Sequence, residues 1–135
     1  MKKYTLIISA LLLLDCILQA QNYIGMDKDQ IIEAMKVNKP DFERQKVIND
    51  SYNYLKYQDS YGEQTILFFL SKNDVCTSVK LMSHYVHLGK ELTDLNARYE
   101  SLGNNKWKFT ENGITYTVEL QKGQWFFSII TKKME

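Results

Sequence analysis

The chain has 135 residues, of which 17 are basic and 16 acidic, and its formal net charge is +1. This length supports one domain with a hydrophobic core of its own. The near balance of charge gives no electrostatic footprint for nucleic acid or anionic lipid, so neither is predicted as a partner.

The amino terminus predicts export. The chain opens MKKYTLIISALLLLDCILQAQ, which has a positive start, an apolar run and a small residue near its end. This three-part pattern is typical of a secretory signal. Because a bilayer needs about 20 consecutive apolar residues, we predict no retained transmembrane helix. We expect a signal peptide over residues 1–20 and a single domain over residues 21–135, placed in the periplasm or outside the cell.

Cys16 raises the alternative of a lipid anchor. Lipoprotein signals place a small residue directly before the lipidated cysteine, whereas this chain has the charged Asp15 there. Ala20 is small and offers a cleavage site that makes Gln21 the new amino terminus. We therefore favour cleavage after Ala20 over lipidation at Cys16, and a retained membrane anchor is the remaining alternative. Cleavage would leave Cys76 alone, so the domain would have no internal disulfide.

The segment IGMDKDQIIEAMKVNKP predicts a short helix with both ends specified. Asp27 is the expected N-cap, and Gln30 three residues later completes a capping box. Ile31 and Met35 share one face, and Pro40 prevents the helix from continuing. The next segment, DFERQKVIND, is interpreted either as a second helical turn or as a linker.

Strands and a second helix follow. Runs rich in aromatic and β-branched residues predict an antiparallel meander at 54–57, 65–70 and 75–82. A second helix is indicated by an apolar stripe with a C-cap at Gly103. Three more strands are predicted at 105–110, 114–120 and 125–130, with a hairpin turn at Asn112-Gly113. The stripe consists of Leu88, Leu92, Leu95, Tyr99 and Leu102.

These elements predict an α+β fold, with an antiparallel sheet of about six short strands and two main helices. The order of a helix followed by three strands occurs twice, which is consistent with a degenerate duplication. No low-complexity segment or long linker interrupts the pattern, so one domain is the expected organisation.

The residues IGMDKDQIIEAM, with Gly25-Met26 before a capped helix and aromatic strands such as TILFFL to follow, resemble the SmpA/OmlA-like and β-lactamase-inhibitor-protein-like families. The resemblance covers about half of the chain. The later Trp and WFF patterns are also similar to uncharacterised secreted proteins of Gram-negative bacteria. These resemblances imply export, a bacterial envelope or secreted location and the fold class, and no activity. The lipidated amino terminus usual in the first family is not predicted here.

Candidate chemistry is sparse. His84 and His87 are three residues apart, a spacing that can place two imidazoles on one face. A closed metal site needs further ligands, so we favour two partly solvated histidines at a strand end. Cys76 lies within a predicted strand without cationic neighbours and is expected to be a buried structural residue. We predict no catalytic, cofactor-binding or metal-binding residues, and the protein is not expected to be an enzyme.

Four tyrosines stand close together in the chain, at Tyr52, Tyr54, Tyr57 and Tyr61. Tyrosine offers a large rigid contact area with a polar tip, which suits protein recognition, although packing in the core is the alternative. We take Tyr57 and Tyr61 as candidate partner-binding residues. The predicted function is an exported non-enzymatic domain that binds a protein or cell-envelope component. An inhibitor of a secreted enzyme, with DSYGE as a wedge, is the alternative, and an enzyme would need Cys76 near a histidine.

Overall fold

The computed structural model describes residues 22–48 and 51–135, so the predicted signal peptide and Cys16 lie outside the described residues. The two helices are α1 (Lys28–Asn38) and α2 (Leu88–Arg98), and a one-turn 3-10 helix (Tyr85–His87) precedes α2. The strands are β1 (Phe42–Gln45), β2 (Tyr54–Asp59), β3 (Gln64–Leu70), β4 (Cys76–His84), β5 (Glu100–Gly103), β6 (Lys106–Glu111), β7 (Ile114–Lys122) and β8 (Phe126–Lys133). Within these ranges, neither helix is long and apolar enough to cross a membrane.

All eight strands form one antiparallel sheet in the order β1-β2-β3-β4-β8-β7-β6-β5. Each helix is followed by four strands, and the last strand of each block, β4 and β8, join the two blocks at the centre of the sheet. The α+β class and the antiparallel sheet are thus confirmed.

The predicted number of strands was wrong. The sheet has eight strands rather than six, and four rather than three follow each helix. The two missed strands, β1 and β5, are the edges of the sheet and have four residues each, with the sequences FERQ and ESLG. β1 lies in the segment DFERQKVIND, for which the sequence leaves a helical turn and a linker as alternatives. Neither strand shows an alternation of apolar and polar residues. Each is held in the sheet by backbone hydrogen bonds to a single neighbouring strand, and its side chains are not buried in the core.

Helix α1 forms where its sequence predicts it. The side chain of Asp27 accepts a hydrogen bond from the backbone N–H of Gln30 at 2.9 Å, and Gln30 Oε1 accepts one from the backbone N–H of Asp27 at 3.0 Å. This reciprocal pair satisfies two donors that the start of a helix would otherwise leave free. Ile31 and Met35 are fully buried on the inner face. The predicted capping box is therefore confirmed.

Helix α2 ends earlier than its apolar stripe predicts. It stops at Arg98, and Tyr99 is already extended, with φ −123° and ψ 157°. The ring of Tyr99 stacks on that of Phe109 in β6, with centroids 4.6 Å apart. This tertiary contact fits an extended residue better than another helical turn. Leu102 belongs to β5 and is 47% exposed, and the positive φ of Gly103 serves the β5–β6 turn and not a helix C-cap.

The core lies on one face of the sheet, and both helices cover that face. Between α1 and the sheet the buried side chains include Ile31 of the helix and Phe68 and Tyr57 of the strands. Between α2 and the sheet they include Leu95 of the helix and Phe127 of β8. The alternate residues of the strands point away from the helices and are half-buried or exposed, except for the small Ser128 in β8, which is buried. We call this second side of the sheet the open face.

A small cleft separates the two halves of the core. It lies over the central strands, where Val79, Leu81 and Ile129 form its floor and Tyr99 and Phe109 line one wall. Its volume is about 190 Å³. Pockets for drug-sized ligands usually measure about 300–1,000 Å³, so this cleft is smaller than a typical pocket of that kind.

Cys76 begins β4 and is buried in the core beside α1. Burial in apolar surroundings raises the pKa of its thiol to about 11, because the thiolate loses its hydration there. The thiol is therefore protonated at neutral pH and is a poor nucleophile.

Candidate functional site: the aromatic end of the sheet

Three connections meet at one end of the sheet: the β2–β3 turn, the 3-10 helix after β4 and the β7–β8 turn. The strand register places them together, since Gln64 pairs with Ser83 and Ser83 pairs with Phe127. The backbone N–H of His84 also donates to the carbonyl oxygen of Glu63 at 3.0 Å. This end of the molecule therefore brings together loops that are far apart in the chain.

Large apolar side chains point into solvent at this end. Trp125 is 77% exposed, Val86 is 76% exposed and Tyr61 is 87% exposed, and Tyr85 and Phe126 are also classed as exposed. Among the described residues, these five make up almost half of the eleven large apolar side chains that are exposed. We call Tyr61, Tyr85, Val86, Trp125 and Phe126 the aromatic end. Exposed apolar groups of this kind mark interaction sites when they cluster, whereas single ones are ordinary.

The backbone of the β7–β8 turn that carries Trp125 is well defined. The backbone N–H of Gly123 donates to the carbonyl oxygen of Phe126 at 2.9 Å, and the Tyr85 hydroxyl donates to the carbonyl oxygen of Gly123. A Cβ at position 123 would lie 2.8 Å from the Phe126 oxygen, so only glycine fits this turn. The ring of Tyr85 is anchored in turn by Phe127, with centroids 5.7 Å apart. Trp125 is thus presented on a turn that is already ordered.

The β2–β3 turn is braced in a similar way. One carboxylate oxygen of Asp59 accepts hydrogen bonds from the backbone N–H groups of Glu63 and Gln64, at 2.8 and 3.0 Å. Gly62 follows Tyr61 with φ +69°, a conformation that glycine adopts without strain. Tyr61 therefore projects from the tip of a short and well-ordered turn.

The histidines do not form a joint site. His87 Nε2 lies 2.7 Å from Glu63 Oε2, so it links the 3-10 helix to the β2–β3 turn, whereas His84 is exposed at the end of β4. Within residues 22–48 and 51–135, no group of three or more His, Cys, Asp or Glu side chains is placed to hold a metal ion. Glu63 and His87 thus act as a brace of the aromatic end.

Cys76 and the histidines are far apart. Cys76 begins β4 and His84 ends it. Eight residues at a rise of about 3.3 Å each separate them by roughly 25 Å. The thiol–imidazole pair that an enzyme of this type would need is therefore not assembled between these two residues.

The two candidate tyrosines lie in different surroundings. Tyr57 is only 5% exposed, and its ring meets the ring of Phe68 edge-on at a centroid distance of 5.9 Å. Burial also raises the pKa of its hydroxyl. Tyr57 is therefore a core residue, which leaves Tyr61 as the candidate that a partner can reach. Tyr52 is exposed too, but it precedes β2 and lies at the opposite end of the sheet.

Sequence reasoning missed Trp125 as a surface residue because it placed WFFSII in a strand from residue 125. The signal was present in the sequence, since neighbouring residues of a strand point to opposite faces and three successive aromatic residues cannot all enter one core. The strand begins at Phe126, and Trp125 belongs to the turn.

We compared the chain with protein-family models, curated proteins and solved structures, and none of them matches it. The resemblance to the SmpA/OmlA-like and β-lactamase-inhibitor-protein-like families stays a prediction.

Proposed function

We propose that the protein is an exported, non-enzymatic domain that captures a protein partner through the aromatic end. The observation that carries the proposal is Trp125, which is largely exposed and held on a turn that the Tyr85 hydroxyl and the close approach at Gly123 keep ordered. Trp and Tyr are the residue types most often found at the energetic centre of protein interfaces.

The energetics favour a surface of this type for binding. Apolar surface removed from water contributes about 25 cal/mol per Å², so burial of the indole against a partner is favourable. A preordered turn loses little conformational freedom when it binds, which removes part of the usual cost of association. The Glu63–His87 contact and the Asp59 hydrogen bonds give the neighbouring turn the same property.

The alternative, an inhibitor of a secreted enzyme, is favoured by one feature. Tyr61 is 87% exposed at the tip of a turn fixed by Asp59, and such a turn has the shape of a wedge that could enter a cleft. The two functions predict different dominant residues. Capture on a surface depends mainly on Trp125, whereas insertion into a cleft depends mainly on Tyr61.

The substitution Trp125→Ser is expected to weaken partner capture without lowering the thermal midpoint, because an exposed side chain loses contacts only in the complex. A photo-reactive amino acid at position 125 would identify the partner in cells that export the protein, and the affinity of that partner would then be measured for each variant. We expect a loss of about 2 kcal/mol or more, the range of a central interface residue.

Tyr52→Ser is the matched control, because Tyr52 is also exposed but lies at the opposite end of the sheet. It should leave the affinity unchanged. If Tyr61→Ser abolishes binding and Trp125→Ser does not, the inhibitor is the better interpretation. Equal binding by all three variants would refute a role for this end of the sheet.

Export is the second part of the proposal and has its own test. Because Ala20 suits a signal peptidase and Asp15 does not suit lipoprotein processing, we expect the exported protein to begin at Gln21. The intact mass of protein recovered from the periplasm or the medium would show this start. A species that begins at Cys16 and carries acyl chains would contradict the expectation.

A further inference from the structure

The open face of the sheet carries an uneven distribution of charge. Five lysines point away from the helices on the six inner strands β2, β3, β4, β8, β7 and β6, where Glu119 is the acidic residue on the same face. The edge strands add Glu43 and Glu100 to this face. Residues 22–135 as a whole contain 15 basic and 15 acidic residues. The strands of the open face therefore carry more basic than acidic side chains, although the charges of the domain as a whole are balanced. We call the five lysines the lysine band: Lys56, Lys80, Lys106, Lys108 and Lys132.

The strand register arranges the lysine band in two rows that cross the strands. In the first row, neighbouring positions run Lys56, Leu67, Lys80, Ile130, Glu119 and Lys106. In the second row they run Phe69, Ser78, Lys132, Thr117 and Lys108. With strands about 4.8 Å apart, the five steps of the first row extend over about 24 Å.

Most of these lysines have no acidic partner. Among the described residues, Lys56, Lys80 and Lys132 form no ion pair, and the contact of Lys108 with Glu100 is long, at 3.8 Å. Lys56 and Lys80 are half-buried, and Leu67 lies between them in the strand register. Unpaired like charges held close together repel one another, and an anionic ligand would relieve that repulsion.

We propose that the open face binds a linear acidic polysaccharide that lies across the strands along the lysine band. The second row alternates charge with hydroxyl groups, since Ser78 and Thr117 flank Lys132, and this alternation matches a chain of sugars that carries both carboxylates and hydroxyls. The band contains no arginine, whose planar fork is the usual reader of phosphate. The aromatic residues beside the band, Tyr54 and Phe69, stand at one end of the second row. No aromatic residue lies between Ser78 and Lys108 in that row, where successive bases of single-stranded nucleic acid would need to stack.

The probe for the experiment is polygalacturonate, a linear polysaccharide with a carboxylate on every sugar, and neutral dextran is its uncharged counterpart. Wild-type protein is expected to bind polygalacturonate and not dextran. Raising the salt concentration from about 50 to about 200 mM should weaken that binding roughly tenfold or more, because several lysine–anion contacts release counterions.

The test variant combines Lys56→Gln, Lys80→Gln and Lys132→Gln, and it should lose at least about tenfold in affinity together with most of the salt dependence. A matched triple variant removes Lys28, Lys36 and Lys90, which lie on the two helices, and should bind like the wild type. Arginine at the three band positions should retain binding. If the glutamine triple variant does not fold, the single variant Lys132→Gln, at an exposed position, would be compared with the wild type for its polygalacturonate affinity instead.

Four results would overturn the proposal. They are no binding of polygalacturonate, equal loss in the two triple variants, tighter binding of poly-glutamate, and tighter binding of single-stranded DNA. Tighter binding of poly-glutamate would indicate an acidic protein as the occupant, and tighter binding of DNA would indicate nucleic acid. Trp125→Ser should leave polygalacturonate binding unchanged, so failure of this proposal is separable from failure of partner capture at the aromatic end.

Discussion

Replacing Phe68 by alanine is expected to lower the free energy of unfolding by about 3–5 kcal/mol, the range for large aromatic side chains removed from a core. Phe68 is fully buried under α1, where the ring of Tyr23 meets it at a centroid distance of 5.0 Å and the ring of Tyr57 at 5.9 Å. Its loss would leave a cavity between three elements that cannot all move inward. Urea unfolding of the two proteins, analysed with a common slope, measures the difference.

Phe69→Ala is the matched control for this experiment. Phe69 is the next residue of the same strand and points to the open face, where it is half-buried beside Tyr54. Because its removal leaves no enclosed cavity, we expect a clearly smaller loss, of about 1 kcal/mol. A loss at position 69 as large as that at position 68 would mean that something covers the open face, and the assignment of the core to one face would then be wrong.

Leu95→Ala is expected to cost about 2–5 kcal/mol for the same reason of cavity formation. Leu95 is the buried residue of α2 and packs with Trp107 and Phe127. The neighbouring Asn96 fixes this packing, since its Oδ1 accepts a hydrogen bond from Trp107 Nε1 at 2.9 Å. A loss of this size is a large part of the about 5–15 kcal/mol that stabilises a typical domain. Thermal or urea unfolding followed by circular dichroism would measure it.

Leu102→Ala separates the observed end of α2 from the longer helix that the apolar stripe predicts. Leu102 is 47% exposed on β5, so its removal is expected to change the stability by no more than about 0.5 kcal/mol. Similar losses at Leu95 and Leu102 would instead support a helix that continues to residue 102.

The parts of the fold that the sequence predicts are those in which local chemistry and burial agree. Asp27 and Gln30 specify the start of α1 within four residues, and no distant contact is needed to see it. The inner strands show an apolar alternation and are bounded by turn residues, so the sequence locates them correctly to within a few residues. The sequence did not reveal β1 and β5, because each forms only by pairing with an adjacent strand, β2 or β6. The position of that adjacent strand depends on the rest of the fold.

The candidate site was less predictable than the fold. Tyr57 and Tyr61 are four residues apart and share a residue type, yet one lies in the core and the other projects from a turn. Only the exact strand boundary separates the two surroundings, because Tyr57 is inside β2 and Tyr61 is beyond its end. The aromatic end also joins residues 61, 85 and 125, which are brought together by the pairing of β3, β4 and β8. No local pattern in the sequence contains that information.

The two short edges limit how this sheet can associate with copies of itself. An exposed strand edge is a template for another chain, and long flat edges lead to aggregation. Here each edge offers only four residues, and charged side chains stand on both, Glu43 and Arg44 on β1 and Glu100 on β5. A chain that added to either edge would form few backbone hydrogen bonds and would have to accommodate those charges. The addition of a ninth strand is therefore unfavourable at either edge, and the sheet is protected from growth into a fibre at both of its sides.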